Sequence, residues 1–176
     1  MSESKHNADP RASRPDIPGY GIKDANSGKG LLPWSWATER LASAHTYFIA
    51  TTRPDGRPHV MPVWGIWLEG AFYFSSGRTS RKAQNLSANP RCVVSTEHNG
   101  ESVILEGIAE ETHDKTVRQR CDKTYSEKYH WDMEANDEPF FVVRPCVAFG
   151  FIENDGLFTS TATRWIFDRD EIDSDM

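Results

Sequence analysis

The sequence lacks the features that mark a membrane-spanning, secreted or metal-binding protein. No apolar run approaches the ~18–20 residues that cross a bilayer, and the first residues contain no apolar stretch of the signal-peptide kind. The three cysteines are an odd number, stand far apart and form no CxxC pair, and the six histidines are scattered. We therefore expect a cytoplasmic protein with reduced thiols, no membrane association and no metal site.

The sequence also lacks an excess of positive charge. Its formal net charge is -6, which argues against a general nucleic-acid-binding protein. The length of 176 residues suits one domain, and an aromatic content of 11% argues for a packed core. We place that domain at residues 33–168. A flexible or surface-draped arm (1–32), rich in proline and glycine, precedes it, and an acidic tail (169–176) follows.

Hydrophobic patterns divide the central part of the chain into three helices and six or seven strands. The predicted helices are Trp34–Ala44, Ser80–Ala88 and about Thr112–Tyr129. In the last of these, apolar residues recur every four positions, at Val117, Cys121, Tyr125 and Tyr129, which predicts one apolar helix face. The predicted strands are Thr46–Arg53, Arg57–Leu68, Ala71–Ser76, Arg91–Thr96, Ser102–Glu111, Phe140–Ile152 and Thr163–Phe167. Most neighbouring strands are joined by turn signals, as in hairpins. The pattern favours a mainly β protein, an antiparallel barrel with helical additions, over an α/β sheet.

Pro62 and Pro145 fall in the middle of predicted strands. Pro62 cannot donate to a strand ladder, so it indicates an edge, a bulge or a place where a ligand replaces a neighbouring strand. Pro145, which follows Arg144, predicts a break or bend in the long strand after Phe140.

A polar turn before the second helix has the residues that bind a phosphate group. Hydroxyl groups come from Ser75, Ser76, Thr79 and Ser80, and the helix then opens with the cations Arg81 and Lys82. If Ser80 caps the helix, the first free backbone N–H groups point at the same place. The arrangement suits a phosphate attached to a flat, apolar ligand. The residues alone leave open a solvated helix start with surface cations.

The run ATTRPDGRPHVMPVWGIWLEGAFYFSSGRTSRKAQNLSANPRCVV resembles the pyridoxamine 5′-phosphate oxidase-like superfamily of flavin-binding split β-barrels. Its most specific part is the SRKAxN…NP segment, and the closing TATRWIF is similar to the last strand of the branch that uses FMN or the deazaflavin coenzyme F-420. The resemblance implies a six-stranded antiparallel split β-barrel with flanking helices. It also implies a homodimer with the cofactor at the subunit interface.

The resemblance assigns roles to further residues. The segment Val60-Met61-Pro62-Val63 is expected to form the floor of the isoalloxazine site. His59 is expected either to reach the phosphate or ribityl chain or to be a partly exposed strand histidine. Trp165 is expected either to pack on the ring from the partner subunit or to lie in the core.

The chain departs from the founding enzymes of this superfamily. Their Arg-x-x-Leu-Leu-Lys run corresponds here to His59-Val60-Met61-Pro62-Val63-Trp64, so both cations are missing. Their C-terminal Arg-x-His substrate signature is also absent. We therefore expect a substrate other than pyridoxamine phosphate, and a more apolar one.

Three functions fit the sequence. The first is an FMN-dependent oxidoreductase that transfers a hydride or electrons to a small organic substrate. The second uses coenzyme F-420 in the same slot, with Arg78 and Arg91 available to its oligoglutamate tail. The third is a non-catalytic binder of a flavin, haem or another tetrapyrrole, for which His59 or His130 would be the axial ligand. No catalytic side chain is assigned, because the cofactor supplies the reactive atom in hydride chemistry.

Overall fold

The computed structural model describes residues 9–22, 29–131, 138–154 and 156–167. The strands in this part of the chain are β1 (Arg11–Ser13), β2 (Tyr47–Thr52), β3 (Pro58–Val63), β4 (Ile66–Leu68), β5 (Ala71–Ser75), β6 (Arg91–His98), β7 (Glu101–Thr112), β8 (Phe140–Ile152) and β9 (Thr163–Ile166). The helices are α1 (Trp34–Ser43), α2 (Arg81–Ala88), α3 (Lys115–Tyr129) and α4 (Leu157–Thr161). No helix of the described residues is long and apolar enough to cross a bilayer.

The strands form one antiparallel sheet in the order β1-β9-β8-β7-β6-β2-β3. Strand β8 pairs with β7 along one side, while on its other side the first half pairs with β5 and the second half with β9. The β4–β5 hairpin joins the sheet through the pairing of β5 with the first half of β8. The mainly β, antiparallel split-barrel prediction with flanking helices is confirmed, but the described sheet has nine strands rather than six and is not closed.

The extra strands have two origins. The predicted strand Arg57–Leu68 is divided into β3 and β4 at Trp64 and Gly65. A Cβ atom on Gly65 would lie 2.2 Å from Cζ of Phe72, so the backbone packs directly on that ring. Hydrophobic patterning does not reveal this bend, because both halves carry apolar side chains.

The second origin is the N-terminal segment. Strand β1 pairs with β9, with Ala12 opposite Trp165. The adjacent Arg14 is buried, and its guanidinium donates to the carbonyl oxygens of Ala162 at 2.9 Å and Lys29 at 2.5 Å. This described part of the arm is therefore packed on the barrel. The domain boundaries remain predictions, and the acidic tail at 169–176 lies outside the described residues.

Strand β8 is irregular where the sequence predicts a bend. Glu106 of β7 pairs with Val147, but the next residue, Gly107, pairs with Pro145, so Cys146 is an extra residue in β8. A β-bulge of this kind accommodates proline, which has no N–H group to donate to the ladder.

Two groups of buried side chains form the core. The larger one lies inside the barrel and includes Tyr47, Phe72 and Trp165. The smaller one lies under α3, where the four-residue spacing of the sequence correctly predicts one buried helix face, with Cys121 and Tyr125 among its members. The core fixes the positions of β2, β3 and α2, which carry the candidate site.

Candidate phosphate and flavin site

Helix α2 begins as the sequence predicts. Ser80 has extended backbone angles, and its Oγ accepts a hydrogen bond from the N–H of Ala83 at 3.2 Å, which confirms it as the N-cap. Ser76 Oγ lies 2.9 Å from Ser80 Oγ, so the polar turn is fastened to the cap. The N–H groups of Arg81 and Lys82 have no partner within the helix and face outward at its positive end.

Helix α2 is fastened to β2 by one buried hydrogen bond. Nδ2 of Asn85 donates to Oγ1 of Thr51 at 2.9 Å, and both residues are almost fully buried. Asn85 lies one helical turn beyond Arg81, so this bond sets the start of α2 beside the end of β2. A buried polar pair of this kind fixes position, because breaking it would leave a donor without a partner.

His59 of β3 lies directly opposite Thr51 in the β2–β3 ladder. Paired residues of an antiparallel ladder share a face of the sheet, so the imidazole stands beside the Thr51 side chain. Thr51 Oγ1 is 3.5 Å from Nδ1 of His59 and 3.4 Å from its carbonyl oxygen. Burial holds the pKa of His59 below its usual value, and the nearby cations Arg53, Lys82 and Arg81 lower that pKa further.

Three of the cations around His59 have no carboxylate partner among the described residues. They are Arg53, Arg81 and Lys82. Other arginines close in sequence are paired: Arg57 with Asp55 at 2.7 Å, and Arg78 with Glu111 at 2.5 Å. Burial also lowers the pKa of Lys82. Cations held together against their own repulsion, without a counter-charge among the described residues, make this corner a candidate site for an anion.

The four predicted hydroxyl ligands differ in their exposure to solvent. Ser76 is buried, Ser75 and Ser80 are half-buried, and Thr79 is exposed. One hydroxyl proton is used between Ser76 and Ser80, which leaves the other available to an acceptor. The turn can therefore donate to a phosphate, with Thr79 the most accessible of the four.

The predicted ring floor lies on β3, which pairs only with β2 and is an edge of the described sheet. Val60 and Met61 are 54% and 43% exposed, whereas Val63 is buried. Because side chains alternate along a strand, Met61 and Val63 share a face with His59, and Val60 and Pro62 point to the other face. A flat ligand on the His59 face would thus meet Val60 and Pro62 only through their backbone.

Trp165 does not reach this site. Its side chain is 0% exposed, and its ring packs edge-on against Trp34 at a centroid distance of 5.3 Å. Gly150 lies so close that a Cβ there would be 2.6 Å from the indole. Since the chain itself covers the whole ring, no surface remains for a flavin, and the expectation of a cofactor contact is corrected to core packing.

Three residues of the site escaped the sequence analysis: Thr51, Arg53 and Asn85. Thr51 and Arg53 lie inside the run that carries the family resemblance but outside its most specific segment, SRKAxN…NP, and hairpin pairing alone could have placed Thr51 beside His59. Asn85 is the last residue of the SRKAxN segment, but only the fold shows that its side chain bonds Thr51 of β2 rather than a ligand.

The comparison with known families covers this same region. The family described as pyridoxamine 5′-phosphate oxidase matches residues 37–146. The chain belongs to this family. The match contains β2, β3 and α2, and therefore every residue of the candidate anion site. No curated protein matches the chain.

Solved structures share the split-barrel fold of the pyridoxamine 5′-phosphate oxidase family. A conserved hypothetical protein from Mycobacterium tuberculosis has a TM-score of 0.65 at 20% identity, covering 72% of this chain and 89% of its own. A FAD-binding protein from Mesorhizobium loti has a TM-score of 0.55 at 22% identity, with 76% and 93% covered. An F420 reductase has a TM-score of 0.52 at 26% identity, with 62% and 94% covered. Haem-binding proteins also share the fold.

Proposed function

We propose that the protein is a cytoplasmic flavin-dependent oxidoreductase that binds FMN and transfers a hydride or electrons to a small organic substrate. The observation that carries this proposal is the group of cations Arg53, Arg81 and Lys82, unpaired within the described residues and gathered with His59 at a capped helix start. Membership of the pyridoxamine 5′-phosphate oxidase family supports a flavin as the ligand.

The residues of this corner fit a phosphomonoester. Such a group carries about −1.5 to −2 charge at neutral pH and has three acceptor oxygens. Arg81 can bind it through two parallel N–H donors, and Lys82 adds a point charge. The first N–H groups of α2 and the hydroxyl of Thr79 complete the set of donors. Each charge-assisted hydrogen bond contributes roughly 1.5–3 kcal/mol, so the site can hold the ligand by its phosphate.

The isoalloxazine ring would lie along β3, an edge strand with free backbone groups. A bound flavin supplies the redox chemistry, and the chain binds it, orients it and keeps water away. On the outer face of the β2–β3 hairpin, Phe48 and Val60 are 49% and 54% exposed. We propose that a second copy of the chain covers this apolar face and closes the ring site.

The residue type at Trp64 favours a substrate unlike pyridoxamine phosphate. The indole stacks on Tyr129 at 4.7 Å, is 40% exposed, and follows directly after the ring floor. A cation at this position would bind a second phosphate, whereas an indole favours a flat, apolar acceptor.

Coenzyme F-420 is the second candidate ligand, favoured by the likeness to an F420 reductase at 26% identity. It carries a phosphate group that would use the same corner. Arg78 is poorly placed to bind the acidic tail of F-420, because its guanidinium already forms an ion pair with Glu111, with Nη2 at 2.5 Å from Oε1.

Binding of FMN and of riboflavin, which lacks the phosphate, tests the proposal. We expect the wild type to bind FMN much more tightly than riboflavin, as measured by flavin fluorescence. Arg81→Ala/Lys82→Ala should abolish that preference while riboflavin binding persists. The matched control is Arg120→Ala/Lys123→Ala, which removes two cations from α3, where they pair with Glu69 and Glu127.

Equal affinity for FMN in the two double variants would overturn the phosphate assignment. The visible spectrum and mass of any ligand that co-purifies would separate FMN, F-420 and haem. Reduction of the bound flavin by NADPH, or oxidation of supplied reduced F-420 by an aromatic acceptor, would then distinguish an enzyme from a carrier.

A further inference from the structure

We propose that His59 binds the coenzyme phosphate in its protonated form, and that Thr51 and Asn85 are positioning residues for its imidazole ring. The inference rests on the proposed function and deepens it, because it assigns a proton to the binding step. Phosphate binding would then take up a proton from solvent.

The geometry begins with the buried amide of Asn85. Its Nδ2 donates to Thr51 Oγ1 at 2.9 Å and so occupies one lone pair of that oxygen. The hydroxyl proton of Thr51 is therefore free to point toward His59, which offers two acceptors. These are Nδ1 at 3.5 Å and the carbonyl oxygen at 3.4 Å.

This arrangement serves both protonation states of the ring. When the imidazole is neutral with its proton on Nε2, the Thr51 hydroxyl donates to Nδ1. When the imidazole is protonated, Nδ1–H donates to Thr51 Oγ1, and the hydroxyl proton turns to the carbonyl oxygen of His59. The bond from Asn85 holds the oxygen in place throughout, so the ring can change charge without losing its orientation.

The charges near His59 favour a neutral ring until an anion arrives. Arg53 acts on it from the end of β2, and Arg81 and Lys82 act from α2, while Thr51 is its polar neighbour on β2. These cations and burial hold the pKa of His59 below its ordinary 6.5 in the ligand-free protein. A dianion placed among the same groups reverses the local field and raises that pKa.

The sign of the pH effect follows directly. At pH 7–8.5 the ring is neutral in the free protein and gains a proton in the complex, so affinity falls as pH rises through the pKa of the complex. The limiting slope is about tenfold per pH unit for one proton. The second pKa of a phosphomonoester is about 6, so the ligand charge is nearly constant in this window.

Calorimetry of FMN binding tests the inference directly. Titrations at pH 7–8.5, in pairs of buffers with different ionisation enthalpies, give the number of protons taken up. We expect uptake approaching one proton in the wild type and none in His59→Gln, whose affinity should be nearly independent of pH. Riboflavin should bind without uptake in both proteins.

Two variants of Thr51 distinguish a role in positioning the His59 ring from a purely structural role. Thr51→Val removes the hydroxyl at nearly constant volume and should lower the uptake and shift the pH profile toward acid. Thr51→Ser keeps the hydroxyl and should restore both. The imidazole NMR signals of His59 in the wild type, with and without FMN, give its pKa directly without any variant.

The outcomes are distinct. FMN binding with equal proton uptake in the wild type and His59→Gln, or with an unchanged His59 pKa, overturns this inference and leaves the proposed function standing. Identical pH profiles for Thr51→Val and the wild type overturn the positioning role. Absence of FMN binding at every pH overturns the proposed function, and this inference with it.

Discussion

The hydroxyl group of Tyr129 accepts a hydrogen bond of 2.9 Å from the N–H of Gly65. The same hydroxyl lies 2.8 Å from the carbonyl oxygen of Gly65 and 2.9 Å from that of His45, to either of which it can donate its proton. The last residue of α3 is thereby tied to the bend between β3 and β4. This bend ends the strand proposed to carry the flavin ring.

Removing that hydroxyl tests the tie. We expect Tyr129→Phe to lower the free energy of unfolding by about 1–3 kcal/mol, because the N–H of Gly65 is left buried without a partner. Urea denaturation measures the change. Tyr20→Phe is the control, since Tyr20 is 64% exposed and should change stability little. Equal stability of the two variants would show that the hydrogen bonds of the Tyr129 hydroxyl do not stabilise the fold.

Arg53 was not identified from the sequence, and its role has a matched control four residues away. Arg53→Ala should weaken FMN binding by about tenfold or more, because one charge-assisted contact contributes roughly 1.5–3 kcal/mol. Arg57→Ala, across the same turn, should change it little, since Asp55 already pairs with Arg57 at 2.7 Å. Fluorescence titration of both variants checks this. A larger loss in Arg57→Ala would contradict the assignment.

Structural features set by residues close in sequence could be predicted, whereas features set by contacts between distant residues could not. The cap at Ser80 and the buried face of α3 are local patterns, and both are confirmed. The division of the strand at Gly65 depends on Phe72, and the fate of Trp165 depends on its packing with Trp34. Neither contact leaves a mark in hydrophobic periodicity, so the sequence alone could not decide them.

The position of Trp165 predicts a stability effect without a binding effect. Trp165→Phe should lower the free energy of unfolding by about 1–3 kcal/mol, because the smaller ring leaves a cavity in the core. FMN affinity of the folded variant should match that of the wild type. Thermal unfolding and flavin titration together provide the test, and a selective loss of FMN binding would revive a cofactor contact.

Lys128 should make stability depend on pH. Its Nζ donates to Tyr47 Oη at 2.8 Å and to the carbonyl oxygen of Gly65 at 3.0 Å, and burial lowers its pKa from 10.5 to about 8. Between these values the unfolded chain binds more protons, so the contribution of Lys128 to stability rises with pH.

The comparison with Lys128→Met isolates this group. We expect the wild type to gain stability relative to Lys128→Met as the pH is raised from 8 to 10. Lys123→Met, on the exposed side of the same helix, should keep a constant difference from the wild type. Urea denaturation at several pH values measures both, and a flat difference for Lys128→Met would refute the prediction.

The short strand β1 has a practical consequence for anyone who shortens this protein. The family match begins at residue 37, but β1 and the buried Arg14 lie before that point. A fragment that began at residue 37 but kept the rest of the chain would leave uncovered the hydrogen-bonding groups of β9 that β1 pairs with. Bare strand edges pair with other chains, so such a fragment should self-associate even though the proposed flavin site is intact.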